Sequence, residues 1–237
     1  MKKYFFILLL SLTTFSQTKG GEAIYGVSVL DYKDDIERKK LYYTIENLYP
    51  DVLKTANELS FTLKFNEGWS MFYVNEFDGI VDAKNEVEVA QGLVGYGYKT
   101  WQNSEYYYVY NELRSFVGQR IKNFEWKITK ETKRIDSFLC YKATGVDVGV
   151  NSKRGHYKTP IIAWFCPEIP YSYGPLKFGN LPGLILELQT RSAVFGLKSL
   201  TFKDTEIEKT PNVRVKTEEE YQKEEQKYLE DLKNKKK

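Results

Sequence analysis

Apolar positions recur along this chain mostly at every second residue, interrupted by two stretches where that period is lost. Residues 22–32 carry the aromatic and β-branched content of a first strand. From 34 to 58 charged and apolar residues alternate more loosely, in a helix-compatible way, and Pro50 suits the first turn of a helix over 51–59. Asn47 or Tyr49 then lies just outside that helix. Phe61, Leu63 and Phe65 fall on one face of a strand, and Asn66-Glu67-Gly68 predicts a hairpin into a second strand over 69–74. The polar stretch 75–104, with Gly79, Gly92, Gly95 and Gly97, predicts a long loop. Strand patterns resume at 105–110, 124–132, 138–146, 159–165, 184–190 and 194–203. Short strands separated by turn residues predict a mainly β (α+β) fold built on an antiparallel, meander-like sheet.

The two ends differ from this body. Lys2 and Lys3 precede a short apolar run over 4–10, and Thr14-Phe15-Ser16 offers small residues for cleavage before Gln17. That order predicts a signal peptide over 1–16. The run is about half of the ~20 residues that would span a bilayer, and no later segment reaches ~18 apolar residues, so no transmembrane segment is expected after signal removal. The tail over 216–237 places Glu218, Glu219, Glu220, Glu224 and Glu225 early and Lys233, Lys235, Lys236 and Lys237 late, which complements a helix dipole and predicts a solvated helix. One β domain over 17–215 is expected between these ends.

Composition narrows the partners. Setting Lys2 and Lys3 aside leaves 33 basic against 32 acidic residues, a net of +1. Such a balance gives no support for a nucleic-acid partner. Aromatics are abundant, with 19 Tyr and 14 Phe, as in a sheet whose faces pack flat side chains.

Cys140 and Cys166 are the only cysteines, and their numbers centre a hairpin on residue 153, where Asn151-Ser152-Lys153-Arg154-Gly155 supplies turn residues. In that register the two lie directly opposite, ~4.5–5.5 Å apart at Cα, a separation that suits a disulfide. A one-residue slip would instead leave two buried free thiols.

The most distinctive run is 167–183, with four prolines and three glycines among 17 residues and apolar side chains throughout. It predicts an ordered, packed loop. The run ends in Asn180-Leu181-Pro182-Gly183-Leu184-Ile185. This hexapeptide resembles the one that names the GLPGLI family of exported Bacteroidota proteins. Cys140-Tyr141-Lys142-Ala143, Ala163-Trp164-Phe165, Glu168-Ile169-Pro170 and Gly174-Pro175-Leu176-Lys177-Phe178 are similar to that family's other recurrent blocks. The resemblance covers mainly 124–203. It implies export, an envelope location, one folded module and a curved sheet or half-barrel, and it supplies no catalytic residue. Asn180 stands where the family's first glycine is expected, and asparagine is the non-glycine residue that best tolerates positive φ.

Candidate chemistry is sparse. The single histidine, His156, falls in the expected hairpin turn, and no zinc spacing, nucleophile elbow, phosphate loop or dinucleotide fingerprint is visible. No catalytic, metal-binding or cofactor-binding residue is therefore assigned. Asp147, Glu168 and Glu187 lie near the Pro/Gly loop and are the carboxylates that a hydrolase or lyase would pair. The favoured expectation is a non-catalytic binding or accessory protein of the periplasm or the inner face of the outer membrane, with secretion an alternative. Its partner would be an outer-membrane protein or a lipid-like or small apolar ligand. Trp164, Phe165, Tyr171, Tyr173, Phe178 and Leu181 are the candidate contact residues, and core packing is their competing role.

Overall fold

The computed structural model describes residues 19–31, 35–80, 85–95, 99–111, 116–121, 124–151 and 155–217, together with 219, 220, 223, 224 and 227. The signal peptide expected over 1–16 lies outside the described residues.

The described residues form one 12-stranded open sheet from two antiparallel meanders. The first comprises β1 (Gly20–Val29), β2 (Ser60–Asn66), β3 (Ser70–Val74), β4 (Thr100–Gln102), β5 (Tyr106–Asn111) and β6 (Phe116–Ile121). The second comprises β7 (Lys127–Ile135), β8 (Phe138–Asn151), β9 (Gly155–Cys166), β10 (Leu184–Gln189) and β11 (Ala193–Phe202). Antiparallel pairing of β1 with β11 joins the two meanders. The last strand, β12 (Arg214–Thr217), pairs parallel with β6, so the sheet is mixed rather than purely antiparallel.

The parallel pair has a cause in the connection before it. Residues 203–213 return across the sheet: Asn66 Nδ2 donates to Thr205 O, Trp101 Nε1 donates to Glu208 O at 2.8 Å, and Lys99 pairs with Glu208 at 3.1 Å. A strand reached by such a crossing can enter the edge in parallel sense.

The sheet is strongly curved. Strands β6 and β7 lie ten strand intervals apart in the order, about 48 Å across a flat sheet. Yet Ile121 and Lys127 are six residues apart in the chain, a reach of at most about 22 Å. The two ends therefore curl toward each other without closing a barrel.

Inside the curve sits the core. Tyr25, Phe61, Leu63, Phe65, Phe72, Phe165, Leu188 and Phe195 project from the strands and are essentially inaccessible to water. Phe61 stacks on Phe72 at 5.5 Å and meets Phe195 edge-on at 5.2 Å. Each such ring contributes on the order of 2–3 kcal/mol by burial.

Two short helical segments cover part of this face. The helix-compatible stretch resolves into α1 (Ile36–Leu48), capped by Asp35 accepting from the Arg38 N–H, and α2 (Val52–Glu58). Pro50 occupies the turn between them, just before the cap of α2. The expected long loop over 75–104 instead contains α3 (Glu86–Leu93) and β4. Its glycines mask an apolar face of Ala90, Leu93 and Val94 that joins the core, and the buried Glu86 carboxylate accepts from Thr55 Oγ1 on α2. The described residues of the tail at 219, 220, 223, 224 and 227 are helical. Lys216, buried over the Phe116 ring at 4.2 Å, bonds Glu224 at 2.6 Å and ties them to β12.

Candidate functional site

The Pro/Gly loop is the structure's inner lining. Ile169, Tyr173, Phe178 and Leu181 point into the core with exposures of 6% or less. The loop is stitched down by its own backbone: Asn180 N–H donates to Ser172 O, Leu184 N–H to Ile169 O and Ile185 N–H to Tyr173 O. Asn180 adopts φ 63°, the left-handed conformation that its place in the hexapeptide calls for. Gly183 adopts φ 152°, and a Cβ there would lie 2.1 Å from the carbonyl oxygen of Cys166. Leu186 then bulges out of the β9–β10 ladder, and the buried Tyr25 hydroxyl donates to Ile185 O at 2.6 Å. The hexapeptide thus serves as a clamp that seats the loop and starts β10.

This placement changes the role of most candidate contact residues. Phe165, Tyr173, Phe178 and Leu181 are core residues, and burial pushes the Tyr173 hydroxyl up to about 12. Tyr171 is partly exposed but packs on Phe65, 4.7 Å between rings. Trp164 lies on the outer face, half-buried under Lys133 at 4.5 Å, with Lys133 also paired to Glu187 at 2.7 Å. The six do not form one surface, because the loop's apolar side chains are needed to fill the curve of the sheet.

The cysteines give a second correction. The β8–β9 register runs from Tyr141 opposite Phe165 to Asn151 opposite Gly155, the register expected from the sequence. Cys140 and Cys166 flank its first pair, yet both are free, buried thiols. Each is engaged by its own neighbourhood. Cys140 Sγ donates weakly to Phe138 O at 3.8 Å, while in the turn after Cys166 the Ile169 N–H donates to the Cys166 carbonyl oxygen at 3.2 Å. Burial, and then the neighbouring Cys166, push the Cys140 thiol up to about 12.

His156 stands in β9 opposite Val150 rather than in a turn. The three carboxylates are not assembled as a pair: Asp147 bonds Lys177 at 2.7 Å, Glu187 bonds Lys133, and Glu168 is exposed beside Pro167. Among the described residues no group of three or more His, Cys, Asp or Glu is placed to hold a metal ion, and no helix is long and apolar enough to cross a membrane.

A fork opens at one end of the sheet. Strand β7 pairs with β8 only as far as Lys127 opposite Thr144. Upstream, the chain swings away: Phe124 packs against Gly145, Trp126 Nε1 donates to Gly179 O at 2.8 Å, and both rings rest on Phe178. The outer edge of β8 from residue 145 onward has no strand partner among the described residues. Between it and the swung-away segment runs a half-open groove of about 1010 Å³, lined by Phe124, Trp126, Lys127, Val146, Val148 and Lys158 among others. Val146 and Val148 are 51% and 55% exposed. A smaller apolar cleft of about 340 Å³ lies beyond the same segment, with Ile128, Tyr141, Phe165 and Pro182 in its walls.

The sequence reading missed Phe124, Trp126, Val146 and Val148. A usable signal was present: Gly145-Val146-Asp147-Val148-Gly149-Val150 alternates valine without a lysine or proline. The free edges nearby are blunted. Strand β7 carries Lys127, Lys130, Lys133 and Arg134, β9 carries Pro160 where β10 no longer pairs with it, and β12 is four residues long and charged. The β8 edge has none of these devices, and its one charge, Asp147, is held by Lys177.

Comparison with known proteins adds one family. Residues 126–187 match the model of a family described as proteins of unknown function, Porph_ging. That segment runs from Trp126 through β7, β8, β9 and the Pro/Gly loop into β10, and so contains most of the groove. No curated protein matches the chain. Among solved structures, PNGF-II is similar over 84% of this chain at 14% identity and a TM-score of 0.45. This chain spans 31% of the PNGF-II chain. An uncharacterized conserved protein from Thermus thermophilus is similar over 84% of this chain and 91% of its own, at 8% identity and a TM-score of 0.37.

Proposed function

We propose that this chain is an exported, non-catalytic accessory protein of the cell envelope that grips a protein partner by adding a strand to the outer edge of β8. The observation that carries this reading is the unblunted edge of β8 beside an open groove. Unpaired backbone N–H and C=O groups at a strand edge are best satisfied by another extended backbone. The exposed Val146 and Val148 would pack against alternate side chains of the added strand. The Lys-paired carboxylates give no support to a hydrolase or lyase, and a carrier of apolar ligands loses its cavity to the loop's own Tyr173, Phe178 and Leu181.

The signal-like N-terminus and the GLPGLI-like hexapeptide support a location in the periplasm or at the inner face of the outer membrane, with an outer-membrane protein as partner. Photo-crosslinking tests the assignment. A probe at Val146 should capture one outer-membrane protein, identified by mass spectrometry, through an extended segment. The product should be absent with the probe at Ile80, which is 96% exposed and not part of the groove's lining, and absent when Val148→Lys blunts the edge. The same products from both probe positions would sink the reading.

A further inference from the structure

The end of the sheet that holds the groove is electrically unlike the rest of the molecule. Residues 124–166 contain eight Lys or Arg against four Asp or Glu, a net of +4 where the whole chain carries +3. Several of these charges are neutralised locally: Lys142 bonds Glu131, Lys133 bonds Glu187 and Asp147 bonds Lys177. Lys127 and Lys158 are different. Both line the groove, both are exposed, and neither makes an ion pair among the described residues. Glu125 is the acidic side chain in the lining, leaving the groove at +1 within a basic surround.

Position turns this charge into a pattern. Lys127 stands opposite Thr144 and Lys158 opposite Val148, so the two lysines are registered four residues apart along β8, about 13 Å along the strand. Over this span of β8 the exposed side chains are those of Val146 and Val148, the latter at its Lys158 end. A second copy of this chain would bring the same excess of positive charge to the same edge, which disfavours self-pairing.

Resting on the strand-addition reading, we infer that the partner segment is an acidic extended peptide, with carboxylates about four residues apart and β-branched side chains between them. The valines supply cross-strand packing, the backbone edge supplies hydrogen bonds, and Lys127 and Lys158 select the sign of the flanking charge. Phe124 and Trp126 wall the groove on the core side.

Fluorescence anisotropy on the full chain, with labelled synthetic strands of alternating Val and Thr, tests this. One strand carries Glu at two positions four apart, one carries Lys there, and one is uncharged. The Glu strand should bind about fivefold or more tighter than the Lys strand at low salt, and added salt should narrow the gap. Lys127→Glu with Lys158→Glu should reverse the order. A fourth strand, the Glu version with prolines that remove its backbone donors, should bind weakly. Equal binding of the three proline-free strands would overturn the acidic preference and leave strand addition standing. Equal binding of the proline strand would overturn both, since contact would then need no strand. Binding of phosphatidylglycerol vesicles but of none of the peptides would also overturn both and assign the basic end to a membrane surface.

Discussion

Gly174 and Gly183 of the Pro/Gly loop and Gly196 of β11 should respond to the same substitution in three different ways. At Gly183 a new Cβ would lie 2.1 Å from the Cys166 oxygen and 2.5 Å from its carbonyl carbon, both backbone atoms in a paired strand. The residue also holds φ 152°, which L side chains rarely adopt. Conformational strain of about 1–3 kcal/mol and overlap of about 1–3 kcal/mol together predict a loss of roughly 2–6 kcal/mol for Gly183→Ala. In a domain of this size, at about 2–4 °C per kcal/mol, that lowers Tm by roughly 4–24 °C. At Gly174 the new atom would meet the Ile185 side chain at 2.7 Å, a contact that repacking relieves in part, so about 1–2 kcal/mol is expected. At Gly196 nothing lies within 4 Å, and alanine should be neutral or stabilise by about 0.5 kcal/mol through the unfolded chain. Urea unfolding followed by far-UV circular dichroism, with constant m-values, gives the three differences directly. If Gly183→Ala fell within about 1 kcal/mol of Gly196→Ala, the hexapeptide would not be the structural clamp described above.

Three other outcomes follow from particular contacts. Tyr25→Phe removes the buried donor to Ile185 O and should cost about 1–2 kcal/mol in the same urea assay, with an unchanged midpoint arguing against that bond. Cys140 and Cys166, free and buried with their thiols pushed upward, should resist iodoacetamide in the native protein and take two labels after unfolding without reductant. A chain that stays unlabelled after unfolding would reveal a bridge instead. The Arg191 side chain and then the Arg38 N–H hold the Asp35 carboxyl below the ordinary carboxylate range. Its contribution is therefore present above the unfolded pKa and is lost as pH falls through the folded one. Asp35→Asn keeps a capping side chain, so its stability deficit at neutral pH should shrink as pH drops below about 4, and a deficit independent of pH would refute the ion pair's part.

Much of the sheet was legible because strand periodicity is a local property. Alternation at Phe61, Leu63 and Phe65, and at Leu184, Leu186 and Leu188, marked β2 and β10, and turn residues around position 153 fixed the β8–β9 register to the residue. Asn180 was readable as a left-handed residue because it stands where the resembled hexapeptide has glycine and its side chain tolerates positive φ. What the sequence could not carry is non-local. Helix α3 owes its existence to Ala90, Leu93 and Val94 finding the core, and β12 pairs with β6 because residues 203–213 are tethered across the sheet. That Cys140 and Cys166 stay free thiols although β8 and β9 pair in the expected register is likewise a property of the folded structure. Whether an aromatic residue faces water or core depends on what the fold lays over it. Tyr173 and Phe178 are buried by the curvature of a sheet whose paired strands include Gly21 opposite Phe202, while Val146 and Val148 are exposed because β7 leaves the β8 edge at Lys127. Periodicity determined the strands, and the order in which they meet decided which edge was left open.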